Sequence, residues 1–126
     1  MRTIKFRGLS VDNEWIYGGY YKDKRGEEFI INEEVPDNSF VIVRKGTVGQ
    51  FTELKDKNGK EIYEKDIVKN RYGVLWVVDW YEQKNGWGVR YVDRILFAFT
   101  LTDSEMDKSK YEIIGNIYEN KELLQT

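Results

Sequence analysis

The chain has 126 residues, 40% hydrophobic and 33% charged, which fits one domain or two small subdomains with a wet surface. Its formal net charge is −2 and its pI is about 5.3, so neither a general grip on nucleic acid nor one on anionic lipid is favoured. With no cysteine and no histidine it lacks a disulfide, a thiolate site, the commonest general base and the commonest metal ligand.

Residues 3 to 7 alternate, with Ile4 and Phe6 against Lys5 and Arg7, and predict a half-buried strand. No signal-peptide core precedes it and no apolar run is long enough to span a bilayer, so the expectation is a cytoplasmic protein with no membrane partner. After a polar connection from Gly8 to Glu14, Trp15 to Lys22 reads as a second strand. Gly18-Gly19 inside it suggests a bulge or bend. Asp23 to Gly26 is a turn by composition, and Phe29 to Ile31 a short strand. Asn32 to Ser39, with the single proline Pro36, reads as an acidic loop. Phe40 to Arg44 is strongly β-prone, and Lys45-Gly46 turns it.

The stretch from Gln50 to Lys69 organises the rest of the chain. Asn58-Gly59 is a strong reversal signal, with Gly59 the residue best able to hold positive φ. Asp66, just before Ile67-Val68, is placed to accept nearby backbone N–H bonds. Val74 to Glu82 is the strongest strand, apolar on both faces, and should be covered on both sides at least in part. Asn85-Gly86 marks another hairpin. Trp87 to Val92 and Ile95 to Thr100 are further strands, Leu101 to Lys110 a polar loop, and Tyr111 to Glu119 a closing strand. Asn120 to Gln125 reads as a helical turn capped by Asn120.

Short strands and tight turns after residue 50 predict a mainly β fold: an N-terminal β-rich or α+β subdomain over 1–50 and an SH3-like barrel over 51–126, with an OB-like barrel as the alternative.

Three segments carry a resemblance. Gln50-Phe51-Thr52, then Leu54 to Glu64, then Asp66-Ile67-Val68 resemble the YopX family of phage and prophage proteins. Ile4 to Arg7 and Ile114 to Asn120 are similar to that family's two ends. The family pattern usually has glycine where this chain has Glu53, and again where it has Lys65. The resemblance implies a mainly β fold with an SH3-like barrel and a setting in the cytoplasm of a bacterial host. It implies no catalytic residue.

Several constellations invite a chemical reading. Asp56 to Gly59 resembles the start of a calcium loop, but the glycine stands fourth and Ile67 stands twelfth, so a plain turn is the better reading. Asp79, between Val78 and Trp80, is the best carboxylate for a burial-raised pKa, against a plain pairing with Arg90 or Arg94. Glu33, Glu34 and Asp37 read as a solvated loop rather than a cation site. Trp76, Trp80, Tyr81, Trp87 and Tyr91 could form a stacking platform beside Lys57, Lys60, Lys69 and Arg71. Between Lys55 and Arg71, however, six bases are interrupted by four acids, and aromatics more often serve core or subunit interface. No metal site, cofactor site or catalytic residue is assigned. The expectation is a non-enzymatic phage accessory protein that binds an unknown protein partner and forms homo-oligomers. A nucleic-acid-binding module is the second reading and a carboxylate-based enzyme the third.

Overall fold

The computed structural model describes residues 4–34, 39–92, 99–100 and 111–124. Pro36, Arg94, most of the run from Ile95 to Thr100 and the loop from Leu101 to Lys110 lie outside the described residues. The described chain forms two antiparallel sheets and divides into two compact units, Met1–Phe51 and Thr52–Thr126.

The first unit is a meander of β1 (Phe6–Leu9), β2 (Trp15–Lys22), β3 (Glu28–Asn32) and β4 (Phe40–Val43). β5 (Gly49–Lys55) returns beside β1, with Phe6 opposite Gln50, giving the order β4-β3-β2-β1-β5. Leu9, Ile30 and Val43 are buried at its centre. An isolated bridge joins Ser10 to Val43, and the Arg44 N–H donates to Leu9 O at 2.8 Å, so the meander curls until β4 touches the end of β1. The glycine pair in β2 is not a bulge, because the register from Phe6–Gly18 to Leu9–Trp15 is unbroken. Gly18 instead has φ +154°, and a Cβ there would fall on the carbonyl oxygen of Ile31.

Four reversals share one construction. In Ser10–Glu14, Asp23–Glu27, Asp56–Lys60 and Asn70–Val74, the first residue's N–H donates to the fifth carbonyl and the fourth N–H to the first carbonyl. The first side chain's oxygen then accepts the N–H groups of the third and fifth residues, at 2.9 to 3.2 Å. The fourth residue takes positive φ: Asn13 at 63°, Gly26 at 87°, Gly59 at 82°, Gly73 at 81°. Short polar acceptors at the first position and Gly or Asn at the fourth are the residues this geometry selects. The second and third residues are left exposed at every tip.

In the second unit, β6 (Glu61–Tyr63) pairs beside β5. A five-stranded sheet comes next in the order β10-β9-β8-β7-β11, from β7 (Asp66–Lys69), β8 (Leu75–Tyr81), β9 (Gly86–Tyr91), β10 (Phe99–Thr100) and β11 (Glu112–Asn116). Val68, Trp76, Val78 and Val89 pack with Ile62 and Tyr111 into the core, with Leu54, Val74, Trp87 and Ile113 around it. On the opposite face of the sheet Ile67 and Val77 are also fully buried, so β8 is covered on both sides.

The barrel expected over 51–126 is not closed by the described strands. β11 pairs with β7 and not with β10, which leaves an open sheet. The outer part of β11 is instead held by the turn between β5 and β6, where Lys57 N–H donates to Tyr111 O at 2.9 Å. No long helix forms among the described residues: Glu82–Lys84 and Lys121–Leu124 are single 3-10 turns.

Candidate functional site

Asp56 is buried and its carboxylate accepts three backbone N–H groups. Oδ1 takes Asn58 and Lys60 within its own turn, both at 2.9 Å, and Oδ2 takes Ile113 on β11 at 3.0 Å. Burial works to raise its pKa, but the N–H groups of Ile113, Lys60 and Asn58, helped by the Lys60 charge, outweigh it, and the carboxyl is held below its ordinary value. Asp66, 1% exposed, accepts the Tyr63 N–H at 2.7 Å across the Glu64-Lys65 corner. At the C-terminal end, Asn116 Oδ1 accepts the N–H groups of Tyr118 and Glu119, both at 3.0 Å. Asn120 does not cap the last turn with its side chain. Its Oδ1 accepts the Asn116 N–H at 3.0 Å, and its carbonyl accepts the Leu123 N–H.

Four residues within the segments that carry the family resemblance are therefore engaged with backbone. A family model described as YopX protein matches residues 4–125. The chain belongs to the YopX family. It is also similar to a crystal structure of protein EF1440 from Enterococcus faecalis, with 23% identity over 99% of this chain and 100% of that one, and a TM-score of 0.61. That likeness concerns the fold alone. No curated protein matches the chain.

Glu53 and Lys65, where the sequence resemblance leads one to expect glycine, both hold positive φ, at 70° and 73°. Lys65 has an evident compensation, since its Nζ lies 2.6 Å from Asp79 Oδ2 in a half-buried ion pair. Asp79 thus pairs with Lys65, and Arg94 lies outside the described residues. Arg90 stands opposite Val77, on the same face as Asp79 and diagonal to it, while Gly88 stands opposite Asp79.

The aromatic and basic residues singled out in the sequence do not form one platform. Trp76 stands opposite Tyr91, and Trp80 opposite Trp87, on the core face of the sheet. Trp76 is 3% exposed and stacks at 4.4 Å on Tyr91, which is partly open; Trp80 meets Trp87 edge-on at 5.1 Å and is itself partly open. The two pairs are four residues apart along β8, about 13 Å, with buried Val78 and Val89 between them. Tyr81 and Lys69 lie on the opposite face. Burial raises the Tyr81 pKa, Asp79 adds to it and Arg90 offsets part.

Lys57 and Lys69 both approach Glu112 Oε1, at 3.6 and 3.9 Å, so one acid balances two of the four bases. Lys60 is exposed at the end of the Asp56 turn. Arg71 lies 4.8 Å from the ring of Tyr72, the most exposed large hydrophobic side chain described, at 74%. Among the described residues no group of three or more acidic, His or Cys side chains could hold a metal ion.

Sequence reasoning passed over the other open aromatic group. Tyr21, Phe29 and Phe40 touch one another in the first unit, with ring centroids 5.9 to 6.5 Å apart, and Ile42 stands opposite Phe29. The available signal was the run Phe40 to Val43, which carries no charge at all.

Proposed function

We propose that this YopX protein is a non-enzymatic phage or prophage accessory protein of the bacterial cytoplasm that works by binding and self-associates. One observation supports the reading most. Asp56, Asp66, Asn116 and Asn120, within the segments that carry the resemblance, all hold backbone N–H groups, while Val11 and Tyr72 are open at turn tips and Tyr20, Tyr21, Trp80 and Tyr91 on strand faces. Such a division suits a rigid scaffold that presents surfaces for contact. Asp79, the carboxylate best placed for acid–base work, is committed to Lys65, which leaves an enzyme as the weakest reading.

Nucleic-acid binding is the second reading, favoured by the Arg71–Tyr72 pair on an exposed turn. Light scattering and a fluorescence-anisotropy titration with a random single-stranded 20-mer separate the two. The first reading expects more than one chain mass at high concentration and no saturable binding of the oligonucleotide. Saturable binding that weakens steeply with salt and is lost in Tyr72→Ala would replace it with the second.

A further inference from the structure

We propose that the outward face of the first unit's sheet, an uncharged strip from Tyr21 through Phe29 and Ile31 to Phe40 and Ile42, is the surface by which two copies of this chain associate face to face. The inference rests on the self-association reading above and gives it a place. Cross-strand register puts these side chains on one face: Tyr21 stands opposite Phe29, Phe29 opposite Ile42, and Ile31 opposite Phe40. The alternate positions Ile30 and Val43 are buried and supply the core face. An antiparallel sheet with one face on its core ordinarily turns polar residues outward on the other. Here the outward positions are aromatic or aliphatic, in a chain of which 33% is charged.

The edge of the sheet is not available for pairing, because the chain occupies it itself. Ser10 bridges Val43 and Arg44 N–H donates to Leu9 O, which brings Val11 beside Ile42. Val11 is 62% exposed and lengthens the strip rather than closing it. The contact is therefore between faces and uses side chains alone. The rings are already braced against one another. Tyr21, Phe29 and Phe40 have centroids 5.9 to 6.5 Å apart, so little side-chain freedom is left to lose on binding.

Area and charge both favour a second copy as the occupant. Tyr21, Phe40 and Ile42 are 48%, 59% and 42% exposed. With Val11 they leave about 400 Å² of mainly apolar surface open, at roughly 150–200 Å² for a whole side chain. A standard interface buries about 800 Å² per partner, of which about 450 Å² is apolar. The strip supplies most of that apolar part. Charged groups beside it are committed within the chain. Asp23 accepts the N–H groups of Arg25 and Glu27, Glu27 faces Lys45 at 3.7 Å, and the Arg44 guanidinium donates to the carbonyls of Ser10 and Val11. Exposed Glu33 and Glu34 follow β3 at its far end and oppose a polyanion. An uncharged strip laid on its own copy brings no like charges together, and a two-fold axis makes the one patch serve both sides.

Sedimentation equilibrium of the full chain from about 5 to about 500 µM tests this. The expected result is a shift from one chain mass towards two across that range. Phe40→Glu and Ile42→Lys each bury an unpaired charge in the contact and should weaken association at least about tenfold, with unchanged far-UV circular dichroism. Lys121→Glu, a charge change on an exposed residue of the second unit, should leave it unaltered. A measurement on the unsubstituted chain removes any dependence on how the variants fold. Side-chain NMR signals of Tyr21, Phe40 and Ile42 should shift with concentration over the same range, while those of Tyr72 and Tyr91 stay. If the wild type associates but both strip variants associate as strongly and the shifting signals lie elsewhere, the strip is refuted and self-association stands. A wild type that stays at one chain mass throughout refutes both and leaves the strip to a foreign apolar surface.

Discussion

Asp56 separates a local role from a long-range one, and two other turns in the same chain provide the controls. Asn70 opens an identical turn with a single side-chain oxygen that accepts Tyr72 and Val74 N–H groups, so an amide suffices for the turn itself. Asp23 also uses only Oδ1, for Arg25 and Glu27. Asp56 alone of these three also spends Oδ2, on Ile113 of β11. Asp56→Asn keeps one acceptor for the turn and sets an NH2 against the Ile113 N–H. A hydrogen bond to a charged group contributes about 1.5–3 kcal/mol, and Asp56→Asn should cost about that. Asp56→Ala also exposes the turn N–H groups and should cost about 3–5 kcal/mol, whereas Asp23→Asn should stay within about 0.5 kcal/mol. Urea melts measure all three. The pH dependence has a definite sign. The folded pKa of Asp56 is depressed, so its contribution is complete above the unfolded carboxyl value and is lost as pH falls through the lower folded value. The penalty of Asp56→Asn should shrink in acid, below about pH 4. Equal midpoints for Asp56→Asn and Asp23→Asn at neutral pH would refute the link to β11.

Gly59 holds φ +82° with nothing near its missing Cβ, so Gly59→Val meets only the conformational penalty and should lose about 1–2 kcal/mol in the same melts. Glu53→Gly should gain about 0.5–1 kcal/mol, the relief of positive φ less the backbone entropy of glycine, while Lys65→Gly should gain nothing because it also breaks the pair with Asp79. Gly18→Ala places a methyl group on Ile31 O and should unfold much of the chain at 37 °C, as read by circular dichroism. Tyr111 is buried, its hydroxyl has no hydrogen-bond partner among the described residues, and burial pushes its pKa up to about 12. Tyr111→Phe should therefore be neutral or stabilising by about 1 kcal/mol. A raised folded value supports stability below about pH 10 and loses it from there towards pH 12, so this variant should also flatten the alkaline limb of stability.

The turns were legible because their causes are local. Asp23, Asp56 and Gly59 announce themselves by residue type, and Asp66 was recognisable as an acceptor of nearby N–H groups. Strands β2, β4 and β8 followed from β-branched and aromatic runs in the same way. Pairing between distant segments has no such local cause. The Ser10–Val43 bridge joins positions more than thirty residues apart, and the hold of Asp56 on β11 spans more still. Those pairings decide where the sheets curl or stay open, so the expected barrel over 51–126 had no local signature to rest on. The division of the aromatic residues into two pairs has a related reason. Trp76, Trp80, Trp87 and Tyr91 do share a face, as alternation requires, but the packing of Ile62 and Tyr111 on that face buries its centre and leaves open only its two ends.

Glu53 and Lys65 carry a backbone conformation that glycine holds most easily. This chain holds left-handed backbone at these two non-glycine residues, and at Lys65 the ion pair with Asp79 offsets part of the strain. The left-handed course at these two positions is thus kept without glycine. The same holds in the four matching turns, where Ser, Asp and Asn exchange as the acceptor and Asn13 replaces glycine. Tips of those turns vary freely in chemistry, from Val11-Asp12 through Lys24-Arg25 and Lys57-Asn58 to Arg71-Tyr72, because nothing in the turn uses their side chains. A partner that reads this protein would meet those tips. Differences in activity between chains of this fold should therefore track the tip residues and Phe40 to Val43, and substitutions at Asp56, Asp66 or Asn116 should register first as lost stability.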